Sequence, residues 1–171
     1  YGFYRDWYEY LKREGISFSK VDGQSAVHNY FENDLPLMTA TRGIHGALEG
    51  AAAYFDGAVI NCMGMAAENM FSRPQTAVAR NSDDFVPKRE DGFAEHLLQN
   101  AYNTPYQGEL YVCDWDMFWT SHEDGLRHSL LRAISGGPVY FSDRIGETAP
   151  EVAAPLCYAD GRLPQLLRAA R

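Results

Sequence analysis

The chain has 171 residues, 46% hydrophobic and 22% charged, with a formal net charge of −8. Those values fit one globular domain with enough apolar mass for a real core. They exclude a sequence-independent phosphate binder, so nucleic acid is not an expected partner, and no apolar run nears the roughly 18 residues of a membrane helix, so no membrane partner is expected. The chain opens on YGFYRDW without an initiator Met or a signal-peptide pattern, the start expected of a piece of a longer protein. Three widely spaced cysteines, Cys62, Cys113 and Cys157, form neither a disulfide framework nor a zinc pattern. They point to a reducing compartment, the cytoplasm.

Residues 1–13 carry Phe3, Trp7, Tyr10 and Leu11 at helical spacing and stop at Gly15. Residues 16–22 (ISFSKVD) read as a short buried strand. A long helical stretch lies within residues 26–55, broken near Pro36 and ended by Asp56-Gly57. Strands are expected at 58–64 and 76–80, a helix at 92–103, and a strand at 109–116 (ELYVCDWD). Residues 122–135 form a helix with Leu126, Leu130, Leu131 and Ile134 on one stripe, and 138–143 (PVYFSD) a fifth strand. The tail is rich in Ala, Leu and Arg and reads as irregular. Short, continuously apolar strands alternating with helices mean a parallel sheet covered on both faces, either doubly wound or a (β/α) barrel.

Polar residues gather at the C-terminal ends of these strands, where both architectures put their active sites. Lys20 and Asp22, two apart on a strand, share a face. A lysine there keeps the carboxylate ionised, and an ionised, positioned carboxylate is a candidate nucleophile; the plain alternative is a half-buried salt bridge. After Arg80 come Asp83 and Asp84, of which one can turn into a site while the other caps or hydrogen-bonds. A protonated acid facing an ionised one is the pair that cleaves a glycosidic bond, against which stands an ordinary Asx turn with surface charge. Parallel neighbours are about 4.8 Å apart, so alternate strands are about 9–10 Å apart. Side chains converging over a barrel mouth would bring the carboxyls to about 5–6 Å, the spacing of a retaining mechanism.

Asp114-Trp115-Asp116 opens a rival reading: an Mg²⁺-dependent phosphatase of the haloacid-dehalogenase type with Asp114 as nucleophile. That motif continues with a small Thr or Val where this chain has Phe118, and its strand comes first in the domain rather than after three others. Trp115 and Trp119 instead suggest an aromatic platform for the apolar face of a sugar, or core packing. A third reading is a non-catalytic sugar-binding fragment. His28, His45 and His96 fit ordinary helix positions, and the six-residue spacing of His122 and His128 sends their rings to different helix faces. No metal site is expected. Cys62 ends a strand and can line a pocket, with nothing to mark it as a nucleophile.

SKVDGQ, TAVARNSDDF and CDWDMFWTSHEDGLRHSLLRAISGGPVYFSD, with the weaker INCM, resemble the raffinose synthase and seed imbibition protein family. That family belongs with the α-galactosidases of glycoside hydrolase family 36. The resemblance runs from about Gly2 to Leu167. It implies a (β/α)₈ barrel of TIM type to which this chain supplies strands four to eight, all of residues 1–171 being the C-terminal portion of that barrel. It implies Asp22 as nucleophile and Asp84 as general acid/base, with Asp83 adjacent. Lys20, Arg80, Cys62, Trp115 and Asp116 would line the sugar site. Gly23, Asn81 and Cys113 depart from residues common in plant members.

The implied reaction is double displacement on an α-galactoside through a covalent galactosyl-aspartate. Water is the acceptor in a hydrolase and a sugar hydroxyl in a transferase, and no cofactor is needed. The expected partners are an α-galactosyl oligosaccharide and the remaining half of the barrel with its flanking domains. A βα unit takes about 30 residues and a full barrel about 250. Five strands in this length therefore read as part of a barrel, inactive or poorly stable alone.

Overall fold

The computed structural model describes residues 1–164. The chain divides into two units, Tyr1–Arg80 and Asn81–Arg171. Among the described residues no helix is long and apolar enough to cross a membrane.

In the first unit, helix α1 (Gly2–Arg13) leads through Gly15, at φ +88°, into strand β1 (Ser19–Val21). The helical stretch that follows comprises a 3₁₀ turn (Gln24–Ala26), α2 (Val27–Phe31), α3 (Leu37–Ala51) and a second 3₁₀ turn (Ala52–Phe55). Pro36 stands just before α3, where its missing N–H costs nothing. Strands β2 (Val59–Asn61) and β3 (Val78–Arg80) flank a single-turn helix α4 (Ala67–Met70). β1 pairs with β2 and β2 with β3, both in parallel. Tyr8, Leu48, Ala51, Ala52, Phe55 and Val59 form the core beneath them, with Tyr4, Leu11 and Val21 packed on its margin.

That core corrects the stripe expected on α1. Phe3, Trp7 and Tyr10 are exposed, and the inward stripe is Tyr4, Tyr8 and Leu11. Tyr8 can be buried because its hydroxyl accepts a bond from Ser19 Oγ at 2.8 Å, while its ring packs 4.8 Å from Phe55.

The second unit contains α5 (Gly92–Gln107), β4 (Val112–Asp114), α6 (Gly125–Ser135) and a short α7 (Pro150–Ala153). Asn81 N–H donates to the Asp114 carbonyl, at the end of β4, at 3.2 Å. Phe85, Phe118 and Leu156 form its apolar core, with Met117, Trp119, Val139 and Val152 against them.

Two expectations fail in this unit. The fifth strand at 138–143 reduces to one parallel bridge, Phe118 to Phe141. Pro138 offers no donor, and the Asp143 carboxylate takes the Thr120 and Ser121 N–H groups at 2.7 and 3.3 Å, in place of a backbone ladder. The leucine stripe of α6 is also reversed. Leu126 and Leu130 are 60% and 59% exposed, whereas Gly125, His128, Ser129, Arg132 and Ser135 face inward. The expected irregular tail contains α7 and a 3₁₀ turn (Ala154–Leu156). Residues 165–171 of that tail, and the last part of the family resemblance, lie outside the described residues. The fold is thus mixed α/β with short parallel strands, consistent with part of an α/β barrel.

Candidate active site

The strand register assembles the first group of predicted residues. Val21 pairs with Asn61, and Asn61 with Ala79. One step further along each strand, Asp22, Cys62 and Arg80 stand level and share a face. Lys20 is two residues before Asp22 and points the same way. Val21 and Val59, with opposite parity, turn toward the helices and the core. Lys20, Asp22, Cys62 and Arg80 therefore occupy the face away from those helices.

Cys62 registers this grouping electrostatically. Burial pushes its thiol up to about 12, against the lowering effect of Arg80 and Lys20, and a hydrogen bond to Asp22 adds to the rise. The thiol is thus neutral and can donate its proton toward the Asp22 carboxylate; it is not an activated nucleophile. Asp22 Oδ1 also accepts the Gly23 N–H at 2.8 Å. Gly23 has φ +67°, a conformation that suits glycine in the turn behind the carboxylate.

A buried polar network holds the loops behind these strand ends. Gln24 Nε2 donates to Val21 O at 3.1 Å and to Asn61 Oδ1 at 2.9 Å. Asn61 Nδ2 donates to Thr76 Oγ1 and Val78 O. Arg73 donates to Gln24 Oε1 and to Gly64 O at 2.9 and 2.7 Å. A Cβ on Gly64 would overlap that guanidinium, which is why the chain has glycine there. Glu49, 2% exposed, accepts from Gln75 N, Thr76 N and Thr76 Oγ1 at 2.7, 3.0 and 2.6 Å, fixing the approach to β3.

Asp22 also borders a cavity of about 290 Å³ walled by Tyr4, Val21, Tyr30, Ile44 and His45. Lys20, Cys62 and Arg80 are not among its walls, so this space lies beside the charged group and is distinct from it. Burial, then the charge of Arg73, lowers His45 to about 4, so its ring is neutral.

In the second unit the two adjacent acids part ways. Gln99 of α5 accepts the Asp83 N–H at 2.7 Å and donates to Asp83 Oδ2 at 3.3 Å. Asp83 is thereby tied to the helix; both acids are exposed. The next residue, Phe85, donates its N–H to Asp116 Oδ2 at 2.8 Å. Its ring lies 4.9 Å from His128 and 6.1 Å from both His96 and His122. His122 precedes α6, and its ring is 6.0 Å from that of His128, so the expectation that the two diverge is corrected. His122 Nε2 bonds the Pro87 carbonyl at 2.8 Å, a second anchor for the loop.

Trp115 and Asp116 are 5% and 1% exposed. Trp115 Nε1 donates to Thr104 Oγ1 at 3.1 Å. Asp114 is fully buried: Oδ1 accepts Asp116 N–H at 2.9 Å and Oδ2 accepts the Tyr140 hydroxyl at 2.7 Å. A carboxylate so engaged on both oxygens is a poor nucleophile, and the phosphatase reading is not favoured. Among the described residues no group of three or more His, Cys, Asp and Glu is placed to hold a metal ion.

Arg132 is the residue that sequence reasoning missed. It is 1% exposed and donates to the carbonyls of Trp115, Asp116 and Met117 at 2.7, 3.2 and 3.1 Å. It also meets Nδ1 of His128 at 2.9 Å and of His96 at 3.3 Å. Arginine only donates, so both Nδ1 atoms accept; His96 then donates from Nε2 to Ser82 Oγ at 2.9 Å. Burial lowers Arg132 to about 10, opposed by Asp116 and Asp114, so it stays charged at neutral pH. The available signal was two polar residues one helical turn apart, His128 and Arg132, on one face of a helix otherwise read by its leucines.

Comparison with known proteins agrees with these motifs. The sequence profile of the family "Raffinose synthase or seed imbibition protein Sip1" matches residues 1–171. The chain is 34% identical over 165 residues to the probable galactinol–sucrose galactosyltransferase 6 of Arabidopsis thaliana, covering 95% of this chain and 22% of that protein. Stachyose synthase of Pisum sativum is 28% identical over 185 residues, covering 96% and 20% respectively. The chain thus spans about a fifth of the length of the relatives it matches.

Proposed function

The chain belongs to the raffinose synthase and seed imbibition protein family, and from that premise we propose that it carries the catalytic carboxylates of a retaining enzyme acting on α-galactosyl oligosaccharides. It does so as part of a (β/α)₈ barrel, supplying about strands four to eight, with the rest of the barrel coming from the full-length protein. The names of its relatives favour galactosyl transfer over hydrolysis, with galactinol as donor and sucrose as acceptor.

In the proposed reaction Asp22 attacks the anomeric carbon as Asp84 protonates the leaving oxygen, giving a galactosyl-aspartate. Asp84 then takes the proton of the acceptor hydroxyl as that oxygen displaces Asp22. Lys20 and Arg80 hold ring hydroxyls, and the neutral Cys62 thiol donates toward Asp22. The grip of Gln99 on Asp83 favours Asp84 as the proton donor. The chemistry requires no metal or organic cofactor.

The observation that carries the reading is the strand register, which sets Asp22, Cys62 and Arg80 level on one face with Lys20 behind. Incubating the full-length protein with a fluorinated galactosyl fluoride tests it. Digestion should yield a galactosyl adduct on Asp22, absent in Asp22→Asn. An adduct on another carboxylate, or turnover by Asp22→Asn equal to the parent, overturns it.

A further inference from the structure

We infer that Asp116, fixed in place by Arg132, is a positioning residue for the Asp84 carboxyl and not a sugar ligand. This rests on the reading of Asp84 as the acid/base.

Asp84 is exposed and follows β3 by a short loop, so nothing in a regular strand fixes its direction. The backbone that carries it is anchored one residue later. The Phe85 N–H, on the peptide that begins with the Asp84 carbonyl carbon, is held by Asp116 Oδ2 at 2.8 Å. Because that peptide is planar, the anchor on its N–H also limits where the Asp84 carbonyl carbon and Cα can go. The Phe85 ring, packed among His96, His122 and His128, stops the loop from pivoting about the bond.

Asp116 is itself unusually constrained. It is a non-glycine residue at φ +64°, a conformation that persists only where the surroundings impose it. Its N–H is capped by Asp114 Oδ1. The carbonyls before, at and after it all receive Arg132. Its Oδ1 faces the Tyr140 hydroxyl at 3.4 Å, and Tyr140 also bonds Asp114. A buried cation, a strained turn, a carboxylate and one backbone N–H thus form a continuous strap ending at the acid's own peptide. A sugar ligand would need an accessible carboxylate, and this one is 1% exposed.

Leaving-group dependence separates positioning from binding. An alkyl galactoside needs its leaving oxygen protonated, whereas a dinitrophenyl galactoside departs as a stable anion. In the full-length protein Asp84→Ala should lower kcat on the alkyl substrate about 10²- to 10⁴-fold and galactosylation by the aryl substrate far less. Asp116→Ala should reproduce that split at about 10- to 100-fold, with KM unchanged. Asp116→Asn, which keeps an oxygen to accept the Phe85 N–H, should stay within a few fold of the parent on both. Arg132→Lys, with one donor centre for three carbonyls, should fall on the alkyl substrate only.

A raised KM on both substrates in Asp116→Ala or Asp116→Asn identifies a sugar ligand and overturns the assignment. An equal loss of kcat on both substrates identifies a merely structural residue and also overturns it. If Asp116→Ala does not fold, Asp116→Asn and Arg132→Lys decide by the same criteria. If Asp84→Ala itself shows no leaving-group split, the acid/base reading fails first, and the strap has no acid to position.

Discussion

Asp22 and Asp84 are both exposed acids near strand ends, yet they are held in different ways. Asp22 follows β1 directly, and the parallel register alone puts it level with Cys62 and Arg80. The network behind it, Gln24, Asn61, Thr76 and Glu49, ties loop to strand through amides, a hydroxyl and one carboxylate. Asp84 comes four residues after β3, and its loop is strapped by side chains from distant parts of its unit: Asp116, Gln99 and His122. Behind that strap stands the buried cation Arg132. A strand-borne acid thus draws its precision from backbone pairing, and a loop-borne one needs a buried scaffold of its own. The proposed chemistry fits this division: a nucleophile reaches one fixed carbon, and an acid/base serves first a leaving oxygen and then an incoming one.

The sharpest break of the comparison is chemical. Asp22→Asn leaves strand pairing intact and should remove turnover by about 10⁴-fold or more, with little change in melting temperature. A large fall in stability would mean that Asp22 is a structural partner of the strand end and not a strand-borne reactant. In the second unit the largest effect should be on stability. Arg132→Ala strands the carbonyls of Trp115, Asp116 and Met117 and should cost about 3–5 kcal/mol. Denaturant melts of the full-length protein measure it, and a loss under 1 kcal/mol would show that the turn holds itself.

The first unit offers the matched test. Glu49→Ala leaves the Gln75 and Thr76 N–H groups and the Thr76 hydroxyl without their acceptor and should cost about 2–4 kcal/mol. Because the register of β1 with β2 does not pass through Glu49, the adduct on Asp22 should still form at low temperature. Loss of the adduct in a folded Glu49→Ala protein would mean that the backbone register is not sufficient to place Asp22.

How much was legible beforehand follows the same division. The strand-borne group was readable because a period of two and apolar runs locate Lys20, Asp22, Cys62 and Arg80 from local sequence alone. The helices were found, but their inward faces were read wrongly on α1 and α6, since hydrophobicity was allowed to choose the face. On α6 the inward side is taken by His128, Ser129 and Arg132, and their burial is satisfied by carbonyls and rings remote in sequence. No local pattern announces such partners. Residues 138–143 look like a strand by composition, and only Asp143 occupying the Thr120 and Ser121 N–H groups shows why one bridge suffices. The strap on Asp84 joins residues 31 apart in sequence, beyond the reach of spacing arguments.

The smallest expected effect is a pH slope that both units share. His45 in the first unit is lowered to about 4 by burial and by Arg73. His128 in the second is lowered to about 3 by burial, then by Arg132, His96 and His122. In the unfolded chain both titrate near their ordinary value of 6.5. Below that pH the unfolded state binds protons that the folded state refuses, so stability rises with pH through this window and is lost on acidification. Each imidazole contributes at most about 1.4 kcal/mol per pH unit between roughly pH 6 and 4. Denaturant melts at pH 7, 6 and 5 should show a falling midpoint, with His45→Gln and His128→Gln each removing part of the slope. The comparison sharpens if the two changes add, as expected of sites in separate units. A slope unaltered by either change would mean that neither ring is buried neutral, and the cation at the root of the Asp84 strap would then have lost one of its acceptors.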